Sequence, residues 1–277
     1  MRVIVTRVQP QAARWVQRLS PQCQAVALPL LETAALSDTT ALQSVGQRWS
    51  EYAAVMFVSS HAVEFFCASN QALALIYKAR VAPETRVWAT GPGTQDAVLA
   101  HGVPAKQVDA PPVAGGQFDS EALWQQVHQQ VTPGTRVLIV RGDTSGAGDP
   151  AADQPIGVAA STQNTPGVGR DWLAQRLQQA GAAVDFVVAY QRSAPVWYAA
   201  ERTLAEQAAT DGSVWLFSSA EAVLNLRSLL PDQSWAQARA VATHARIAQT
   251  ARELGFAVVL ESRPTLADTL ASIESLS

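Results

Sequence analysis

The feature that most constrains the fold is a short unit that occurs twice. Phe57-Val58-Ser59-Ser60-His61-Ala62-Val63 and Phe217-Ser218-Ser219-Ala220-Glu221-Ala222-Val223 both fit Phe-x-Ser-x-x-Ala-Val, so that Ser59 corresponds to Ser219. Each follows an apolar run, Ala54–Phe57 or Val214–Phe217, and precedes a segment of helical composition. A buried strand that runs through a Ser-rich turn into a helix is half of a βαβ unit. The backbone N–H groups and hydroxyls of such a turn lie at a helix N-terminus, where anions bind. The structural alternative is that Ser59 and Ser219 are helix N-caps.

The repeat extends well beyond this motif. Arg86–Val103 aligns without gaps on Arg239–Phe256, sharing the Arg, an Ala-Thr pair and the closing Gly. Arg2–Arg7 aligns on Arg136–Arg141, and Gln17-Arg18-Leu19 on Gln175-Arg176-Leu177. The chain therefore reads a-b-c followed by a′-b′-c′. Strand and helix patterns alternate throughout, which predicts α/β architecture with parallel sheets covered by helices on both faces. The spacing predicts helices over Asp38–Trp49, with Ser37 or Asp38 as cap, over Gln71–Tyr77, and over Thr94–His101. It predicts strands over Arg136–Val140 and Val184–Tyr190, with extended exits at Glu32–Leu36 and Gln191–Pro195. Residues 143–168 are rich in Gly, Pro, Ala, Ser, Thr, Asp and Gln and have no periodicity, the composition of a mobile insertion.

Composition excludes several functions. A net charge of −3 gives no basic surplus for nucleic acid. Only Lys78 and Lys106 are lysines, so the cations are almost all arginines, which suit bidentate contacts to carboxylates or phosphates. Cys23 and Cys67 form no metal or redox spacing, as expected of a reducing, cytoplasmic setting. Met1–Arg7 reads as a strand rather than a signal peptide, and no apolar run reaches membrane-helix length. His61, His101, His128 and His244 are scattered, with no HxH or HExxH pair, so no metal site is expected. There is no GxSxG elbow, no P-loop and no GxGxxG; Gly91-Pro92-Gly93-Thr94 follows a strand but does not fit that fingerprint.

What remains is a set of polar groups at strand C-terminal ends: Arg7, Ser59, Thr90, Thr94, Arg141, Tyr190, Arg192, Ser219, Thr243, His244 and Arg246. That edge is where open α/β sheets bind ligands. Each group has a structural alternative. Arg7 and Arg141 could cap helix C-termini or pair with surface carboxylates, Thr94 could be an N-cap, and Tyr190 could pack between domains. Together they describe a site rich in donors and poor in the usual catalysts, suited to a polyanionic ligand that reacts largely by itself.

Taken in order, these segments resemble the uroporphyrinogen-III synthase family. The matching stretches are Val5-Thr6-Arg7, Pro29-Leu30-Leu31-Glu32, Phe57–Val63, Gly91-Pro92-Gly93-Thr94, Val140-Arg141-Gly142 with Gly169-Arg170-Asp171-Trp172-Leu173, Ala189-Tyr190-Gln191-Arg192 and Phe217-Ser218-Ser219. The resemblance implies two flavodoxin-like or Rossmann-like three-layer domains joined by two extended linkers. Residues 1–35 and 196–277 would form one, and residues 36–195, insertion included, the other, with the active site in the cleft between them. Here a packs with b′ and c′, whereas the repeats alone suggest two tandem halves. The resemblance further implies cyclisation of the linear tetrapyrrole hydroxymethylbilane to uroporphyrinogen III, with inversion of ring D and loss of water. It implies no cofactor, and a monomer; it admits transient handover from hydroxymethylbilane synthase.

Loss of the hydroxyl leaves an electrophilic azafulvene that the pyrrole attacks unaided, so the protein mainly imposes a conformation. The resemblance assigns Tyr190 as the acid that helps the hydroxyl leave. It points to Arg7, Ser59, Ser60, Gly91, Thr94, Arg141, Gly142, Ser219 and Thr243 as substrate-binding. His244-Ala245-Arg246-Ile247 departs from the Gly-Pro-x-Thr-like pattern expected there, so His244 or Arg246 would replace the threonine contact. Two other classes compete: a non-catalytic two-lobed binding protein for a small anion, which usually carries a secretion signal, and a Rossmann-type oxidoreductase or transferase, opposed by the missing glycine fingerprint.

The composition of the insertion generates a first prediction. A chain with Thr144–Gly167 deleted and the ends rejoined by a short turn should stay soluble and melt cooperatively. Loss of the cooperative transition would show that the segment is an ordered part of the fold.

Overall fold

The computed structural model describes residues 1–70, 84–112, 120–143 and 169–276. In chain order the first elements are β1 (Arg2–Val5), α1 (Gln11–Leu19), β2 (Gln24–Ala27), β3 (Glu32–Ala35), α2 (Thr40–Gln47), β4 (Ala54–Phe57) and α3 (Ser60–Ser69). There follow β5 (Arg86–Ala89), α4 (Pro92–Ala100), β6 (Val108–Asp109), α5 (Ser120–Val127), β7 (Arg136–Gly142), α6 (Gly169–Gln179) and β8 (Ala183–Ser193). The last are α7 (Ala199–Ala208), β9 (Val214–Phe217), α8 (Ala220–Leu229), β10 (Arg239–Ala242), α9 (Ala245–Leu254), β11 (Val258–Glu261) and α10 (Leu266–Glu274). The helix expected over Gln71–Tyr77 and the insertion beyond Asp143 lie outside the described residues.

The strands form two sheets and the chain two units, Met1–Thr33 with Ser193–Ser277, and Ala34–Arg192. The first unit has strand order β11-β10-β9-β1-β2, and its neighbours pair in parallel. The second has order β3-β8-β7-β4-β5-β6, with parallel pairing from β8 through to β6. Reading β2-β1-β9-β10-β11 beside β8-β7-β4-β5-β6 shows the duplication in space. In each unit the a-type strands adjoin the b- and c-type strands of the other sequence half. The repeat pattern alone, which would favour tandem halves, carries no information about which strands pair.

The central strands explain their own continuous hydrophobicity. In β4, Val55 and Phe57 enter one core cluster and Ala54 and Met56 the other, and all four are buried. In β9, Trp215 and Phe217 face one side and Val214 and Leu216 the other. A parallel strand covered by helices on both faces needs apolar residues at every position. The edge strands β2 and β11 are only partly buried and read accordingly.

Local signals place most boundaries, and the differences have physical causes. Helix α2 starts at Thr40, because Asp38 Oδ1 accepts the Thr40 N–H at 2.8 Å and holds the preceding turn. Helix α4 starts at Pro92, two residues before the expected Thr94; proline fits the first helical position, where no amide donor is needed. The aligned closing glycines, Gly102 and Gly255, adopt φ of 88° and 103°, the left-handed conformation that ends a helix. The expected linkers are extended but not unpaired: β3 covers Glu32–Ala35, β8 continues to Ser193, and the two are hydrogen-bonded neighbours. Tyr190 consequently lies within a strand rather than at its end.

Candidate active site

In the second unit, Ser59, Gly91, Arg141, Gly142 and Tyr190 follow or close strands that run in parallel, so they gather at one edge of the sheet. The order of connections reverses between β4 and β7, the crevice where doubly wound sheets take ligands. Tyr190 stands opposite Gly142, where the β7–β8 register shifts at Arg141/Gly142. A Cβ on Gly142 would lie 2.5 Å from Tyr190 Cζ and 2.9 Å from its hydroxyl oxygen, so only glycine lets the phenol lie across β7. The Asp143 N–H donates to Tyr190 O at 2.7 Å and fixes the strand end beneath the ring.

Helix α3 covers the other side of that phenol. The Tyr190 hydroxyl is 3.1 Å from Ser59 Oγ, which also accepts the Ala62 N–H at 3.1 Å. Ser59 is therefore both the N-cap of α3 and the hydroxyl partner of Tyr190. One turn apart on α3, His61 and Phe65 meet the Tyr190 ring, with centroids at 6.0 and 5.4 Å; Phe65 is stacked. Tyr190 is 4% exposed. Neither His61 nor Phe65 stood among the sequence candidates; their i, i+4 spacing behind a Ser cap was the available signal.

The remaining candidates of this unit lie nearby in the chain. Ser60 is the first residue of α3. Gly91, not Thr94, is the N-cap of α4, in an extended conformation, which overturns the capping alternative for Thr94. Thr94 is buried, its hydroxyl 3.5 Å from that of Thr90, which donates to Val58 O at 3.2 Å. The Arg141 guanidinium lies 5.0 Å above the Phe186 ring, and Arg192 Nε donates to Asp143 O at 3.0 Å.

The first unit repeats the edge with different contents. Arg7 follows β1, and its guanidinium lies 4.4 Å above the Trp15 ring, the counterpart of Arg141 over Phe186. Arg7 Nε is buried without a hydrogen-bond partner among the described residues, and burial pushes its pKa down to about 10. The arginines that begin strands are bound: Arg2 to Asp211, Arg86 to both oxygens of Asp109, Arg136 to Glu51 and Asp185, and Arg239 to Leu276 O. Ser219 N-caps α8 without a side-chain capping bond. Thr243 is buried, and its N–H donates to Phe217 O at 3.1 Å. His244 is the N-cap residue of α9, and both it and Arg246 are exposed. No group of three or more His, Cys, Asp or Glu residues suited to a metal occurs among the described residues.

Comparison with known proteins agrees with this architecture. The family model described as uroporphyrinogen-III synthase HemD matches residues 18–147 and 165–271. A mutant uroporphyrinogen III synthase of Thermus thermophilus superposes with a TM-score of 0.52 at 14% identity, covering 100% of this chain and 98% of that one. The uroporphyrinogen-III synthetase of Helicobacter pylori gives a TM-score of 0.54 at 15% identity, covering 100% of both chains. At such identities the superpositions show a shared fold. No curated protein matches in sequence.

The close approach at Gly142 generates a prediction. Gly142→Ala should displace the Tyr190 ring and destabilise the second unit by about 1–3 kcal/mol, the usual cost of overpacking a filled core. Denaturant unfolding measures this. Wild-type stability would mean that the ring moves aside freely and that its position is not fixed by β7.

Proposed function

The chain belongs to the uroporphyrinogen-III synthase family, and from that premise we propose that Tyr190 is the acid of its reaction and that Ser59 holds the phenol in place. The reaction is the cyclisation of hydroxymethylbilane to uroporphyrinogen III. The observation that carries the proposal is the Tyr190 hydroxyl, held 3.1 Å from Ser59 Oγ at the ligand-binding edge of its sheet.

A phenol is protonated at neutral pH and can donate to a leaving hydroxyl. The C–O bond breaks, water departs with the donated proton, and the azafulvene forms. The substituted α-carbon of the terminal pyrrole then attacks, and its existing bond to the bridging methylene breaks. That methylene is recaptured at the free α-carbon, which inverts the ring; the proton lost there on rearomatisation restores the phenol. Ser59 Oγ, polarised by the Ala62 N–H, can share its own proton along the pair. The ring is buried in this conformation, so substrate must move the groups that cover it. Such a dry setting strengthens a hydrogen bond to developing charge.

The other edge groups bind. Ser60, Gly91, Thr94, Arg141 and Gly142 in one unit, and Arg7, Ser219, Thr243, His244 and Arg246 in the other, are proposed contacts to the carboxylates and pyrroles of the substrate. Arg7 has the best support, since a desolvated cation without an acceptor gains most from a carboxylate. The finer reading places the protein in the cytoplasm as a monomer that takes its substrate by transient handover from hydroxymethylbilane synthase. Two unpaired thiols, Cys23 and Cys67, suit a reducing setting. No helix among the described residues is long and apolar enough to cross a membrane.

Two measurements test these roles. Tyr190→Phe keeps the ring over Gly142 and removes only the donor. Turnover of hydroxymethylbilane should fall roughly ten- to a thousandfold, and the uroporphyrinogen I formed by spontaneous closure should rise, with little change in melting temperature. Wild-type turnover would reduce Tyr190 to a packing residue. Arg7→Ala should raise KM by about tenfold or more and lower kcat far less, as expected for a contact equal in ground and transition states. An unchanged KM with a lower melting temperature would make Arg7 a structural cation over Trp15.

A further inference from the structure

We propose that His61 is a further substrate-contacting residue, its Nε2 hydrogen-bonding a carboxylate of the linear tetrapyrrole at the first turn of α3. His61 is 8% exposed, and its Nε2 is buried with no hydrogen-bond partner among the described residues. A core histidine ordinarily satisfies its ring nitrogens, and an orphaned one costs stability. The fold keeps this one within ring contact of Tyr190 and two residues from Ser59.

Three features give the orphan a ligand. His61 is the second residue of a ten-residue helix, where first-turn N–H groups and the helix dipole favour an anion. Ser59 Oγ is committed to the Ala62 N–H and to Tyr190, so the cap does not satisfy the imidazole. His61, Phe65 and Tyr190 form one aromatic packet, so the displacement that opens the Tyr190 hydroxyl to substrate also uncovers the imidazole. A carboxylate on the pyrrole being processed would then meet Nε2 while the leaving hydroxyl meets Tyr190. His61 would thus set which ring of the substrate stands before the acid. The inference rests on Tyr190 being that acid.

The experiment measures kcat, KM for hydroxymethylbilane, the product isomer ratio and melting temperature in His61→Phe, His61→Gln, His61→Asn and Tyr190→Phe. His61→Phe preserves the aromatic packet and removes the orphaned nitrogen. KM should rise by about tenfold or more, as for a lost hydrogen bond to a charged group, with kcat much less affected. The melting temperature should stay level or rise, because an unsatisfied buried polar atom has gone. His61→Gln, whose amide nitrogen reaches the place of Nε2, should restore most of the affinity; His61→Asn, too short, should not. Wild-type KM in His61→Phe, or a KM raised equally in all three His61 variants together with a fall in melting temperature, would show a purely structural histidine. Wild-type KM in His61→Phe beside impaired turnover in Tyr190→Phe overturns the His61 proposal alone. Wild-type kinetics in both overturns the site assignment on which it rests.

Discussion

The site in the second unit depends on one close approach, the Tyr190 ring lying across the backbone of Gly142. Its consequences run in both directions along the chain. Any side chain at Gly142 would have to displace the phenol, since its first carbon would overlap the ring. The β7–β8 register shifts beside it, and the sheet turns the phenol toward the helix that follows β4. That helix must then present a small hydroxyl at its cap and rings one turn on, as Ser59, His61 and Phe65 do. A packed interior tolerates such an arrangement only as a whole, because each atom fills space another would otherwise claim.

The arginines differ in whether a carboxylate of the chain meets them. At strand starts, Arg86 and Arg136 meet carboxylates with the geometry of paired side chains, and Tyr52 joins by donating to Asp185 at 3.0 Å. Burial, followed by the neighbouring Asp185 charge, pushes the Tyr52 phenol up to about 12, so this phenol stays protonated as a donor to Asp185. At the opposite edge, Arg7 is desolvated over Trp15 without an ion pair among the described residues. Desolvation without compensation opposes folding.

What could be read from the sequence was local or periodic, and what could not was relational. Continuous apolar runs revealed β4 and β9, and the aligned glycines at 102 and 255 marked helix ends. Ser59 was legible as a cap because a side chain bonding three residues ahead is a local event. Its bond to Tyr190 was not, since the two are brought together only by the pairing of β4, β7 and β8. The same limit hid the pairing of β3 with β8, which showed in the sequence only as extended exits. The helix was expected to begin at Thr94, with a cap there as the alternative; proline at the first helical position moves the cap back to Gly91. His61 was legible as a helical residue, but its unsatisfied nitrogen exists only once the surrounding packing is known.

The duplication explains why one backbone plan carries two chemistries. Matching positions kept their backbone roles: Ser59 and Ser219 both N-cap, and Arg7 and Arg141 both lie over an aromatic ring. Their side-chain partners diverged. Ser59 is drawn into a hydroxyl pair, while the Ser219 side chain makes no capping bond. The turn after β5 is Gly91-Pro92-Gly93-Thr94, with Thr94 buried; the turn after β10 is His244-Ala245-Arg246-Ile247, with His244 and Arg246 exposed. One edge thus became dry and hydroxyl-bearing, with the Tyr190 phenol held against the Gly142 backbone. The other has exposed His244 and Arg246 side chains at the start of α9, and the Arg7 guanidinium over Trp15 after β1. A cyclisation whose bond formation is intrinsically easy asks the protein for a fixed conformation rather than for strong catalysts.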